Sequence, residues 1–254
     1  MRASVRSYDT YDYPAYWQNR SYEHKSELLA LTRLLSQIPE IETLADIGGG
    51  FGRLINVYNP RAKRIYLIDP SIKLLTKARK DFARFKKIKY VHSSLENLLA
   101  KKFRNKFDVI VMVRVMHHIW DIDRCFEILA KLTNKNAYLI LEFANKTHWK
   151  ALLTKFLHGD FTFPLDIFSI DRRSKISKKK NAIAFLNHHP DVIIRKLEQN
   201  NFRVVDKLSV SNLRNSLIKN HLAEETLLSI EKKIQKPFAK VNFGPSIFIL
   251  AKKI

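Results

Sequence analysis

The chain has 254 residues, with 46 Lys and Arg against 24 Asp and Glu, and a formal net charge of +22. That length suits one α/β domain with inserts and a sizeable core. The single cysteine, Cys125, excludes an internal disulfide and a cysteine-based zinc site. No apolar run approaches a membrane span, and no apolar core follows the first basic residues as in a secretory signal, so a soluble, cytoplasmic protein is expected.

An N-terminal arm over residues 1–40 carries Tyr8, Tyr11, Tyr13, Tyr16, Trp17 and Tyr22, and a helix is predicted from about Ser21 to Ser36. Tyrosine-rich segments present rings with polar tips to a half-wet cleft. Next come the short apolar run Leu44-Ala45-Asp46-Ile47 and the turn Gly48-Gly49-Gly50-Phe51-Gly52, which holds four of the chain's six glycines. A strand, a glycine turn and a helix start is how an α/β protein brings backbone close to a ligand. Spacing excludes two common ligand turns. The dinucleotide pattern G-x-G-x-x-G would need glycine where Arg53 stands, and the phosphate loop G-x-x-x-x-G-K-[S/T] fails at Arg53 and Leu54.

The second strand, Arg64 to Ile68, ends at Asp69, which lies 21 residues beyond Gly48. An acid at that distance, at a strand tip, can accept from both hydroxyls of a ribose. Pro70 stops the strand, and Ser71 is a predicted N-cap for a helix with Ile72, Leu75, Ala78 and Phe82 on its apolar face. A third strand, Ile88 to His92, leads to Ser93-Ser94-Leu95. The near-continuous apolar run Phe107 to Val113 reads as a central parallel strand covered on both faces. Arg114-Val115-Met116-His117-His118-Ile119 follows it, then a helix from Asp121 to Leu132 and a strand from Ala137 to Phe143. After an insert, a helix from Asp191 to Asn200 and strands Phe202 to Val205 and Ser246 to Ala251 close the chain. Alternating strands and helices predict a doubly wound α/β sheet.

The string Asp46-x-Gly48-x-Gly50-x-Gly52, with Asp69 at the next strand tip, resembles the first motifs of class I S-adenosylmethionine-dependent methyltransferases. The resemblance covers residues 41–143 closely, and 190–210 and 245–252 more loosely. It implies a Rossmann-like, seven-stranded, mostly parallel sheet flanked by helices, whose last strand runs antiparallel between strands five and six. It implies S-adenosylmethionine as cofactor, bound by Asp46, Gly48, Gly49, Gly50, Gly52, Asp69 and Pro70. Ser93, Ser94 and Leu95 would meet the adenine, with hydroxyls where the family often has an acid. Arg114 follows strand four, and in similar enzymes an N-terminal helix closes over the cofactor; Tyr16, Trp17 and Arg20 are the candidates for that role. The inserts 144–189 and 211–243 of the domain 41–254 stand where the family builds a cap over the substrate.

Methyl transfer from a sulfonium is a displacement with a neutral leaving group, so alignment matters most. A base is needed only if the acceptor must lose a proton, and His117 and His118 are the candidates, with a loop-capping role as the alternative. No metal is expected, because nothing spaces these residues or His188-His189 with a carboxylate in a ligand pattern. The chain lacks the Asn/Asp-Pro-Pro-aromatic motif of amino-methylating nucleic-acid enzymes, and Cys125, on a helix's apolar face, is a poor nucleophile for cytosine methylation. The sequence after strand four resembles the broad group acting on small molecules. The basic charge is spread evenly, 25 cations against 15 acids over residues 1–143 and 21 against 9 over 144–254. Its densest run, Arg172, Arg173, Lys175, Lys178, Lys179 and Lys180, lies inside the first insert. It motivates an RNA methyltransferase as the second reading; a non-catalytic binding protein on the same fold is the third.

Overall fold

A computed structural model gives the fold; it describes Asp9, residues 12–179 and residues 183–254. Tyr8, Tyr11 and Lys180 lie outside the described residues. The strands are β1 (Ile41–Ile47), β2 (Ala62–Asp69), β3 (Ile88–His92), β4 (Phe107–Met112), β5 (Thr133–Ala144), β6 (Ile170–Asp171), β7 (Leu186–Asn187), β8 (Phe202–Val210) and β9 (Ser246–Lys253). Seven of them form one sheet in the order β3-β2-β1-β4-β5-β9-β8, and β6 and β7 pair apart from it. The first five are parallel; β9 runs antiparallel to both β5 and β8. This is the Rossmann-like sheet with one reversed strand.

Strand pleating explains the two cores. Leu44, Val109, Val111 and Phe248 face one side, where they meet Leu31, Leu34, Ile55 and Leu75. Their neighbours Ala45, Ile110, Met112 and Ile247 face the other, against Phe126, Leu129, Ile193 and Leu197. Both faces of β4 are therefore apolar, which is why its sequence shows no alternation.

The helices are α1 (Tyr13–Tyr16), α2 (Ser21–Leu35), α3 (Ile55–Tyr58), α4 (Ile72–Asp81), α5 (Ile122–Leu132), α6 (Trp149–Leu157), α7 (Lys175–Lys179), α8 (Pro190–Gln199), α9 (Ser216–His221) and α10 (Glu224–Ala239). Three details differ from the sequence reading. The glycine turn leads into only one helical turn, α3. Ile72 is 54% exposed and Leu74 takes the buried place on α4 beside Leu75 and Ala78, because Ile72 opens the helix outside the stripe that meets the sheet. The insert 211–243 is largely α10, which packs on β8 and α2 and so belongs to the helical layer of the sheet. Its buried ridge is Leu227, Glu231, Gln235 and Ala239, four residues apart. Glu231 accepts from Tyr22 Oη at 2.7 Å and from the Ser211 amide at 2.8 Å, which satisfies a carboxylate the apolar pattern would not place inside. The first insert, 144–189, contains α6, α7 and the β6–β7 hairpin, and stands beside the turn after β4.

Candidate functional site

Strand order reverses at β1, which lies between β2 and β4, so the crevice at its carboxyl end is the switch point of the sheet. Gly48, Gly50 and Gly52 all have positive φ, at 73°, 54° and 82°. At Gly48 a Cβ would run into the Val115 side chain, so both the backbone and the packing demand glycine there. At Gly50 the case is different. A Cβ would meet only Leu74 Cδ1 at 3.5 Å and Asp69 Oδ2 at 3.9 Å, filling the space beside that carboxylate.

Asp69 ends β2 and is buried. Its Oδ2 accepts from the Gly50 amide and its Oδ1 from the Ser71 amide, both at 2.8 Å. These bonds aim the carboxylate at the glycine turn and leave lone pairs on both oxygens. Burial pushes its carboxyl up to about 6, although the two amides oppose the shift. Asp46 behaves differently from its motif partners. It lies beneath the turn and accepts from Tyr58 Oη at 2.8 Å, and burial raises it to about 7. It supports the turn from below.

Ser93 is buried, its amide donating to the Asp69 carbonyl at 3.1 Å and its hydroxyl to the Ser94 carbonyl at 3.0 Å. Ser94 is half-buried and Leu95 buried at the same edge. Pro70 receives His92 Nε2 on its carbonyl at 2.9 Å.

After β4, Arg114 sits in the left-handed region at φ 64°, a strained place for a non-glycine residue. Its amide donates to Glu142 Oε2 at 2.8 Å and its Nε to Glu27 Oε1 at 2.7 Å. Glu27 also takes Arg53 Nη2 at 2.6 Å. Burial alone would raise the Glu27 carboxyl, but the two guanidiniums outweigh it and hold the group below its ordinary range. Glu142, lacking that double pairing, is raised by burial. Arg53 donates in turn to His24 Nδ1 at 2.7 Å. Burial, then Arg53, lowers His24 to about 4, so it is the neutral acceptor this contact needs.

The arm lies on this cluster. The Arg53 guanidinium stacks 3.8 Å over Trp17 and that of Arg114 lies 5.2 Å from it. Tyr13 meets the Phe51 ring of the glycine turn at 6.0 Å. Arg20 lies 4.2 Å over Tyr16. Asp9 accepts from Ser71 Oγ and from the Lys73 amide, fastening the arm to the start of α4. Glu27, Arg53 and Glu142 were not picked out by the sequence motifs, because each sits at a spacing that matches none of them; a charged residue inside an otherwise apolar helix face, as at Glu27, is the signal that was available.

His117 is buried, and its Nδ1 has no hydrogen-bond partner among the described residues. Burial, with His118 and Arg114 nearby, lowers it well below the ordinary histidine range. His118 donates Nδ1–H to the Ala184 carbonyl of the first insert at 2.6 Å, and burial lowers it too. Their rings are 4.0 Å apart. Both are neutral imidazoles at the wall between the strand-four turn and the insert. Arg172, Lys175, Lys178 and Lys179 are exposed; Arg173 and Lys178 share Asp171, at 2.8 and 3.7 Å.

Residues 45–139 match a family model described as a methyltransferase domain. No curated protein matches the chain. Among solved structures, a SAM dependent methyltransferase from Archaeoglobus fulgidus is 16% identical, with 96% of this chain and 100% of that one covered and a TM-score of 0.60. The N-methyltransferase NodS from Bradyrhizobium japonicum, in complex with S-adenosyl-L-homocysteine, is 13% identical over 98% of this chain and 96% of that one, with a TM-score of 0.60. The 1,6-didemethyltoxoflavin-N1-methyltransferase of Burkholderia thailandensis, bound to its substrate and to S-adenosylhomocysteine, is 11% identical over 99% and 87%, with a TM-score of 0.65. At these identities the structures establish a shared fold. The family model adds that residues 45–139, from β1 to β5, match a methyltransferase domain. The glycine turn and Asp69 have the geometry to hold a nucleoside: the space at Gly50 that a Cβ would fill adjoins the open lone pairs of a strand-tip carboxylate.

Proposed function

We propose that the protein moves the methyl group of S-adenosylmethionine to an O, N or C centre of a small molecule. The donor supplies a sulfonium methyl whose displacement leaves a neutral thioether. The protein's part is to hold and orient. Asp69 would accept from the ribose hydroxyls, Gly50 leaves free the space beside it that a side chain would fill, and Gly48, Gly49 and Gly52 let the turn pack closely on Val115, Leu67 and Ile55 so that its backbone can face the donor. Asp46 keeps the turn in place through Tyr58. Pro70 shapes the strand end, and Ser93, Ser94 and Leu95 would border the adenine, with the Ser93 hydroxyl already committed to a carbonyl. Arg114, fixed by Glu27 and Glu142, presents a strained backbone where the donor's amino-acid end would lie. Tyr16, Trp17 and Arg20 would close the site from above and keep water out. His117 and His118, both neutral, stand where an acceptor would enter, and either imidazole could take a proton from it.

One observation carries this reading: Asp69 is pinned by the Gly50 and Ser71 amides at the switch point, facing the only glycine of the turn whose Cβ direction is open. Calorimetry with S-adenosylmethionine and with a nicotinamide dinucleotide tests it. Binding of the first alone is expected; equal or better binding of the second overturns the cofactor assignment. Transfer to an RNA acceptor that falls steeply with salt would instead favour the nucleic-acid reading.

A further inference from the structure

The apolar surface of this protein is unevenly placed. Leu153, Phe156, Leu157, Phe161, Leu165 and Phe168 are 50–79% exposed, and all six fall within one stretch of the first insert. Ile176, in α7, is 68% exposed beside them in sequence. A protein surface carries single exposed leucines freely, but a run of large rings and branched chains this dense marks a surface made to be covered. Trp149, Leu152, Leu153, Phe156, Phe161 and Pro164 also line a cavity of about 560 Å³ in the same segment.

The charges around it select the partner. Among the described residues of 149–179 there are seven cations and three acids, Asp160, Asp166 and Asp171. Each acid is already engaged: Asp160 by Lys155 at 3.0 Å, Asp166 by the buried Lys146 at 2.8 Å, and Asp171 by Arg173 at 2.8 Å. Lys150, Arg172, Lys175 and Lys179 have no carboxylate partner among the described residues. A second copy of so basic a chain would repel this face, whereas an anionic lipid surface offers both an apolar layer for the rings and phosphates for the cations. The segment is also held at its base. Lys146 donates to the Phe168 carbonyl at 2.9 Å and the Arg172 amide to the Phe185 carbonyl at 2.8 Å, so the rings stand on a helix and loop anchored to the rest of the insert.

We propose that residues 149–179 dock the protein on an anionic lipid bilayer, with the rings in the headgroup boundary and Lys150, Arg172, Lys175 and Lys179 on the phosphates. This is independent of the acceptor's identity, but it would bring a membrane-dissolved molecule to the mouth of the site. Flotation of the full chain with vesicles of phosphatidylcholine, and of phosphatidylcholine with phosphatidylglycerol, tests it. Binding is expected on the mixed vesicles alone, weakened by salt. Phe156→Ser with Phe168→Ser should abolish it while leaving the melting curve intact, since both rings are exposed. Arg172→Gln with Lys175→Gln should weaken it by about fivefold for each charge removed. Equal flotation of wild type and the serine variant would overturn the proposal, as would an absence of flotation. So would capture of an RNA oligomer in place of vesicles, or a concentration-dependent dimer that the serine variant breaks.

Discussion

Asp69→Asn separates the two roles the structure gives this residue. A carboxyl held at about 6 rather than 3.8 costs the fold about 3 kcal/mol at neutral pH. Asparagine removes that cost. It offers one carbonyl oxygen to two donors, so either the Gly50 or the Ser71 amide loses its partner, at about 1–3 kcal/mol. The two effects nearly cancel, and the melting temperature should stay within about 5 °C of wild type. Donor binding has no such compensation. Losing one charge-assisted bond to a ribose hydroxyl, about 1.5–3 kcal/mol, should raise Kd roughly 10- to 150-fold. Titration calorimetry with S-adenosylmethionine, beside a thermal melt, reads both. An affinity within threefold of wild type would refute the ribose assignment. A large drop in melting temperature that accounts for the lost binding would show that Asp69 serves the fold instead.

Deleting residues 1–20 removes Trp17 from Arg53 and Arg114 and should weaken donor affinity by at least about tenfold; unchanged affinity would show that the arm does not close the site. Glu27→Gln leaves two buried guanidiniums without their carboxylate, so a loss of about 3–5 kcal/mol and a melting temperature about 10 °C lower are expected, and an unshifted melt would contradict the role given to this cluster. Donor affinity should fall as pH drops through about 6, where Asp69 takes up a proton, approaching tenfold per pH unit; a pH-independent Kd between 7 and 5 would show that its ionised form is not what binds. His24 sits near 4 in the fold against 6.5 unfolded, so its stabilisation is present above 6.5 and is lost as pH falls toward 4. Asp46, raised to about 7 from 3.8, acts with the opposite sign, its cost easing as pH falls over the same range. His24→Gln, which keeps an acceptor for Arg53, should therefore recover about 1–3 kcal/mol of the stability lost near pH 4.5, as denaturant titration would report.

The sheet was legible because parallel strands and the glycine turn write themselves locally: β4 as an unbroken apolar run, Asp69 at a strand tip, Ser71 before a helix. Strand ends were less so. β5 begins at Thr133 and β8 continues to Val210 because pairing with neighbours, not composition, decides where a ladder stops. The site was readable only where it coincides with a motif. Glu27 and Glu142 come from α2 and β5, and their meeting at Arg114 depends on packing across 87 and 28 positions of sequence. Glu231 escaped for a similar reason, since its partners Tyr22 and Ser211 lie on other elements. The run Arg172 to Lys179 read as a purely basic stretch; in the fold, Asp171, one position before it, neutralises part of the charge.

Incubating the protein with S-adenosylmethionine labelled at the methyl group and a size-fractionated cell extract shows where the methyl group goes. Label is expected in the small-molecule fraction, at a rate insensitive to salt and abolished by Asp69→Ala. Label in the RNA fraction, or none in any fraction from protein that binds the donor, would contradict transfer to a small molecule.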